Sequence, residues 1–356
     1  MIKRITQLTL GISLFVVTVQ GQQKPDTTKK VIHYANEPVI SSIYTADPSA
    51  HVFNGKIYIY PSHDINTGKP STNGDHYDMQ DYHVLSMDNI GTPARDHGVA
   101  LKLSDVRWAE RQLWAPDVAV KNGKYYLYFP ARDREGIFRT GVAIGKLPEG
   151  PFIPEPTFIP GSFSIDPCVF QENDGTTYMY FGGLWGGQLA KWAKGTYDAA
   201  EERKDLRKAD EPALTPKIAK IDGSMLSFAE QPKDVVILDE NGKPLLTGDH
   251  ERRFFEGAWV FKNKGLYYFT YSTGDTHKIV YATGKSPYGP FTYQGVVLKP
   301  VSGWTTHHSI LQFKGKWYLY YHDTQLSGKN HLRNVKVSPL EITPGGKIVT
   351  IDPIKT

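Results

Sequence analysis

Three acidic residues occupy positions that folding alone gives little reason to keep. Glu256 lies in Phe254-Phe255-Glu256-Gly257-Ala258-Trp259-Val260-Phe261, an apolar and aromatic run with a single charge. Side chains alternate faces along a strand, and a carboxylate among aromatic residues has no packing use there. Asp47 and Asp166 each precede a proline, in Tyr44-Thr45-Ala46-Asp47-Pro48 and Asp166-Pro167-Cys168-Val169. Taken singly, an Asp before Pro is commonly a turn residue that bonds its own backbone. All three, however, stand at the same place ahead of a Gly-x-x-Tyr sequence. The aromatic neighbours of Glu256 favour its neutral form by desolvation, which makes it the natural proton donor. Asp47, beside Thr45 and Ser49, has a wetter setting suited to an ionised base. Asp166 suits a third carboxylate that holds Glu256 in place and keeps it protonated by like-charge repulsion. One neutral acid and one carboxylate are the pair that glycoside hydrolysis requires.

Elements far apart in the chain must bring these groups together, and a repeat supplies them. The pattern occurs five times: Asp47 with Gly55 and Tyr58, Asp117 with Gly123 and Tyr126, Asp166 with Gly175 and Tyr178, Glu256 with Gly265 and Tyr268, and His307 with Gly315 and Tyr318. In each, a β-branched or aromatic run, a polar Gly turn such as Asn54-Gly55 or Asn122-Gly123, and a second run predict an antiparallel hairpin. Gly141-Val142-Ala143-Ile144 with Pro148-Glu149-Gly150-Pro151-Phe152, and Ile279-Val280-Tyr281-Ala282 with Pro287-Tyr288-Gly289-Pro290-Phe291, extend the repeat to outer strands. Periodic helical stretches are nearly absent. The reading is an all-β protein, a five-bladed β-propeller in one domain over residues 37–356. In that fold the starts of the innermost strands converge on one axis, so the repeat assembles a shared central site.

The amino terminus reads as an export signal over residues 1–21: Lys3 and Arg4, an apolar run over 5–19, and small residues in Val19-Gln20-Gly21. A polar, flexible leader is expected over 22–36. The protein is then exported, periplasmic or secreted, with no membrane association after cleavage, since no other segment approaches the roughly 20 apolar residues of a span. Loss of Lys3 and Arg4 takes the formal charge from +4 to +2, and no dense basic block remains for nucleic acid. A single cysteine, Cys168, excludes an internal disulfide framework. The Gly-, Pro- and Asn-rich stretch 62–81 is a long loop of the kind that is usually functional, whereas the charged stretch 198–211 reads as a solvated loop or short helix.

At these residues the chain resembles glycoside hydrolase family 43. The resemblance covers nearly the whole mature sequence and is strongest to the bifunctional β-xylosidase/α-L-arabinofuranosidase group of Bacteroidetes. It is carried by Tyr44-Thr45-Ala46-Asp47-Pro48, His51-Val52-Phe53-Asn54-Gly55-Lys56, Tyr60-Pro61-Ser62-His63-Asp64, Gly182-Gly183-Leu184-Trp185-Gly186-Gly187-Gln188 and Arg252-Arg253-Phe254-Phe255-Glu256. It implies an exo-acting, inverting glycosidase that releases terminal β-xylose, α-L-arabinofuranose or both from xylan- or arabinan-derived oligosaccharides. Asp47 would then be the general base, Glu256 the general acid, and Asp166 the residue that orients the acid and modulates its pKa. Asp117, nominated by the repeat, has no catalytic place in the family pattern and is taken as structural. His307 matches a histidine that binds an axial water or a calcium ion; no cofactor is required, and a structural calcium on the axis is the one ion implied. Arg333 matches an arginine that contacts substrate hydroxyls, with a surface salt bridge as its plain alternative. Trp114 and Trp185 are candidates to stack on sugar rings, although tryptophans of all-β cores more often serve packing. The oligosaccharide is the expected partner. The rivals are an endo-arabinanase of the same family, a retaining fructosidase-type propeller, and a propeller that binds glycans without cleaving them.

Overall fold

The computed structural model describes residues 32–355; the signal expected at 1–21 and most of the leader lie outside the described residues. Five sheets follow one another along the chain, antiparallel except where the short strand Ile237–Leu238 pairs parallel with Phe291–Leu298 at the edge of the fourth. Their innermost strands are Tyr44–Phe53, Asp117–Lys121, Cys168–Gln171, Glu256–Asn263 and His308–Phe313. Each of these strands touches the next, and the last touches the first, which closes a five-bladed ring. Among the described residues, helix is limited to short 3-10 turns.

Turn chemistry explains the inner hairpins. In four blades both central turn residues have positive φ: Asn54 and Gly55, Asn122 and Gly123, Lys264 and Gly265, Lys314 and Gly315. That is the turn whose twist matches a right-handed hairpin. In blade three, Glu172 N–H instead bonds the Thr176 carbonyl and only Gly175 of the turn has positive φ. The outer repeat is equally regular. Both Gly-Pro bonds, Gly150-Pro151 and Gly289-Pro290, are cis. The preceding prolines accept a hydrogen bond from the blade before: Tyr60 Oη donates to the Pro148 carbonyl and Tyr180 Oη to the Pro287 carbonyl, each at 2.7 Å.

A blade buries its second face only against a neighbour, and apolar layers fill the gaps between blades. Tyr60, Val84, Leu127 and Phe129 pack between blades one and two, and Val142, Val169, Met179 and Phe181 between two and three. The largest layer, with Tyr180, Trp259, Phe269 and Leu319, joins blades three to five, and Ile57, Leu85, Phe313 and Val335 join five to one. Burying one such side chain is worth about 1.5–3 kcal/mol.

The fifth blade has only three strands of its own, His308–Phe313, Lys316–Asp323 and Asn334–Leu340. The amino-terminal segment completes it. Pro38 bridges Lys336, Val39 N–H bonds the Val335 carbonyl at 2.9 Å, and His33–Tyr34 pairs with Ile354–Lys355. Residues 33–36, placed in a flexible leader by their polar composition, thus belong to the ordered domain. Backbone pairing with the other terminus needs no apolar pattern, so composition could not reveal it. Blade three carries a long insertion between its strands Thr177–Phe181 and Lys217–Ile221, which accounts for the widest interval in the repeat.

Candidate active site

At one end of the ring axis opens a cavity of about 950 Å³, bordered by Asp47, Asp166, Glu256, His307, Arg333, Trp114 and Trp185. All seven residues singled out by sequence meet there. Asp117 does not: it is fully buried, and its carboxylate accepts hydrogen bonds from Ser49 Oγ, Val118 N–H and Val169 N–H.

The backbone aims the acids. Ladder register breaks between Ala46 and Ser49 and again between Glu256 and Trp259, so Asp47 and Glu256 both sit at bulges. A bulge re-aims a side chain that regular pleating would point into the sheet. Asp47 and Asp166 have φ of 48° and 58°, although each precedes a proline, a context that favours extended backbone. Strain of this kind persists where the surroundings over-determine it, and it clusters at functional sites.

Contacts then divide the protonation states. Asp47 is 6% exposed; Oδ1 accepts from Arg333 Nη1 at 2.9 Å and Oδ2 from Ser62 Oγ at 2.7 Å. Burial alone would raise its pKa, but the Arg333 charge, nearby histidines and the Ser62 hydroxyl outweigh burial and bring it down to about 2. Glu256 accepts no hydrogen bond among the described residues. Burial, and then the negative charge of Asp47, push it up to about 8 against the pull of Arg333. By exposed area Glu256 is only partly buried, because it borders the cavity. Its elevation therefore depends on how dry the cavity is, and a sugar that displaces water would reinforce it. Asp166 is also raised, by burial and then by Glu256 and Asp47. Its Oδ2 accepts the Gly257 N–H at 2.9 Å, a bond that favours its ionised form. Of these two carboxyls Glu256, which has no such donor, is the better place for a proton.

Arg333 is not a surface salt bridge. It is 3% exposed and forms a two-pronged pair with Asp64, Nε to Oδ2 and Nη2 to Oδ1, both at 2.8 Å, while Nη1 reaches Asp47. Its guanidinium lies 5.0 Å above the ring of Tyr77. His322 supports Asp47 from behind: Nδ1 accepts the Asp47 N–H at 3.0 Å, and Nε2 faces the Thr305 carbonyl at 3.0 Å. A backbone N–H can only donate, so Nδ1 is bare and Nε2 carries the proton. Burial, and then Arg333, hold that ring neutral by lowering its pKa to about 3.

His307 is placed similarly. Nδ1 accepts the His308 N–H at 2.8 Å, and Nε2 is buried without a hydrogen-bond partner, 3.8 Å from Asp166 Oδ2. The neutral ring, favoured by burial, then carries its proton on Nε2 and offers the axis a donor. That suits an axial water. It does not suit direct ligation of calcium, which needs a bare donor atom and prefers oxygen. Among the described residues, the one group of three His, Cys or acidic side chains close enough to share an ion is His63, Asp81 and His83 on blade one, away from the axis.

Trp114 donates Nε1–H to the Tyr77 carbonyl at 2.8 Å, and its ring packs on Phe138. Trp185 donates to Asp205 Oδ1 at 2.9 Å and stacks with Trp304, ring centroids 6.0 Å apart. Both rings combine packing with an edge on the cavity. The stretch expected as a loop over 62–81 is shorter, because 62–64 end the strand Lys56–Asp64 and Asp81 opens the strand Asp81–Met87; the segment between borders the cavity through Ser71, His76 and Tyr77. The charged stretch 198–211 is a mostly exposed loop, as its sequence implied, but it also borders the cavity: Glu201, Glu202, Arg203 and Lys204 line it, and Lys204 lies 4.8 Å over Trp185. Sequence reasoning missed Ser62, Asp64 and His322 as parts of the site. Ser62 and Asp64 stood within a quoted motif, but Ser62 meets Asp47 only across the bulged hairpin of blade one, and the partner of Asp64, Arg333, lies in blade five.

The sequence matches the profile of the Glycosyl hydrolases family 43 over residues 35–348. It is 58% identical to the xylosidase/arabinosidase 43A of Humicola insolens, over 89% of this chain and 99% of that protein. It is 55% identical to a xylosidase/arabinosidase of Bacteroides ovatus, over 87% and 95%. Among solved structures, CoXyl43, a β-xylosidase/α-arabinofuranosidase from a compost microbial metagenome solved with xylotriose in a calcium-free form, superimposes with a TM-score of 0.88 at 60% identity, over 91% of this chain and 99% of that one.

Proposed function

Because the chain belongs to glycosyl hydrolase family 43, we propose that it is an exo-acting, inverting hydrolase that releases terminal β-xylose and α-L-arabinofuranose from xylan- or arabinan-derived oligosaccharides. The observation that carries this reading is the opposite tuning of two carboxyls in one cavity, Asp47 down to about 2 and Glu256 up to about 8. Near neutral pH the first is ionised and the second protonated, as the reaction requires. Water attacks the anomeric carbon and gives a proton to Asp47. The bond from that carbon to the glycosidic oxygen breaks, and Glu256 gives its proton to the departing oxygen. Asp47 is a weak base in the resting state, but the water becomes strongly acidic only as its oxygen bonds to carbon. Asp166 positions the acid, and Arg333 positions the base.

Exo action is supported by Ser71, Gly74, His76, Tyr77 and Met79, which border the cavity with Tyr77 against Arg333 and so favour a pocket over an open groove. The xylotriose bound to CoXyl43 supports a xylo-oligosaccharide substrate. The export signal read at residues 1–21 supports action outside the cytoplasm. The reading is tested with the 4-nitrophenyl derivatives of β-xylose and α-L-arabinofuranose. The expected result is release of nitrophenol from both by the wild type, and a loss of at least about 10²-fold in Asp47→Asn and Glu256→Gln. Near-normal turnover in either variant removes that residue from the mechanism, and binding without release would indicate a glycan-capturing propeller.

A further inference from the structure

Among the described residues, two arginines that border the cavity have no counter-charge. Arg111, at the end of strand Ala109–Arg111, lies directly across the ladder from Arg132 in strand Lys124–Asp133, and both border the cavity. Like charges placed opposite each other across a ladder are unfavourable. Among the described residues neither forms an ion pair or a side-chain hydrogen bond, and the Nε of each is buried without a partner. Arg132 is 9% exposed, and its guanidinium carbon lies over Phe138, 4.8 Å from the ring centroid. Nearby charges do not resolve the excess. Arg203 is held by Glu201 and Lys191 by the Glu201 carbonyl, while Glu135 and Glu202 are exposed, and among the described residues neither they nor Asp75 forms an ion pair with Arg111 or Arg132. Burial, followed by repulsion from Arg111, lowers the pKa of Arg132. A buried, unpaired cation in a cleft is costly unless a ligand supplies the anion.

We propose that Arg111 and Arg132 form an anion-binding subsite that takes the carboxylate of a uronic-acid substituent on the oligosaccharide substrate. The inference rests on the proposed glycosidase reading for its placement. A terminal sugar at Asp47 and Glu256 leaves the rest of the oligosaccharide in the outer cavity, where these arginines and the edges of Trp114 and Trp185 meet it. The guanidinium fork matches a carboxylate in two parallel hydrogen bonds. The enzyme would thus prefer acidic xylo-oligosaccharides to neutral ones of equal length.

The test compares the whole chain with its Arg132→Gln, Arg132→Lys and Arg111→Gln variants. Two substrates are hydrolysed side by side, xylotriose and xylotriose bearing one glucuronic acid on its reducing-end residue. In parallel, calorimetry measures binding of glucuronate, xylose and inorganic sulfate. The expected result is that the acidic-to-neutral ratio of kcat/KM falls about tenfold to a hundredfold in Arg132→Gln, less in Arg132→Lys, and that glucuronate binding weakens in both glutamine variants. An unchanged ratio together with unchanged glucuronate binding overturns the proposal. Sulfate bound as tightly as glucuronate, with no preference for the acidic substrate, also overturns it in favour of a bare-anion site. Should the wild type cleave neither oligosaccharide, the glycosidase reading fails, while the calorimetry still decides the subsite. If Arg132→Gln does not fold, Arg111→Gln, at a half-buried position, decides instead.

Discussion

Asp47 and Glu256 are the same kind of acid a few side chains apart, and their neighbours make them different. Arg333 and Ser62 hold the first ionised, and an unpartnered, partly desolvated setting keeps the second neutral. Activity requires both states at once, so kcat/KM should be flat through neutral pH and fall as pH rises through about 8, where Glu256 loses its proton. A pH–rate profile checks this, and a basic limb that persists unchanged in a residual-activity Glu256→Gln enzyme would assign it elsewhere. Removing the guanidinium in Arg333→Gln leaves burial to push the Asp47 pKa upward. The acid limb should therefore move to higher pH by at least about one unit, as expected for loss of an adjacent opposite charge, in protein that still melts cooperatively. The acids themselves were legible because their register against Gly-x-x-Tyr repeats. The role of Arg333 was legible only in part: the residue stood out by resemblance, but its partner Asp64 is 269 positions away, and no local pattern joins them. The stretch 198–211 was read rightly as a solvated loop, but its place beside the site was not legible for a related reason: Trp185 and Arg253, which reach Asp205, lie elsewhere in the chain.

Bulges and turns explain how ordinary strands deliver these side chains. Gly257 has φ of 66°, its N–H binds Asp166, and an added Cβ would lie 3.2 Å from the His307 ring. Gly257→Ala should cost about 1–2 kcal/mol for the left-handed backbone and lower kcat by disturbing Asp166, as read by denaturant titration and steady-state kinetics. In the last blade, Lys336 is fully buried, with Nζ 2.6 Å from Asp323 Oδ2 and 3.9 Å from the Tyr34 ring centroid. Lys336→Met would strand the Asp323 charge, and a destabilisation of about 3–5 kcal/mol is expected; a neutral effect in denaturant titration would show that water reaches the pair. Hairpins were the most legible elements, since Asn-Gly turns between alternating runs have one reading. The bulges were not, because an extra residue in one strand shows only against its partner.

The whole molecule is a ring, and its closure decides whether the site exists. The fifth blade depends on the amino-terminal segment. Val39 bonds both Val335 and Ala94, and Thr45 N–H bonds the carbonyl of Arg333 itself. Deletion through residue 40 should lower Tm on the order of 10 °C and reduce turnover, because the strand that carries Arg333 loses its Pro38 and Val39 pairing at Lys336 and Val335; calorimetry and nitrophenyl xyloside hydrolysis report the two effects. Blade number was legible from five copies of one hairpin, whereas the closure was not, since its pairing joins the two ends of the chain. At this scale, acids from three blades acting on opposite sides of one sugar ring invert the anomeric carbon. Proton NMR of the first anomer formed from a β-xyloside, recorded before mutarotation, reads this out. Inversion gives α-xylose first; β-xylose appearing first would instead mean a covalent intermediate.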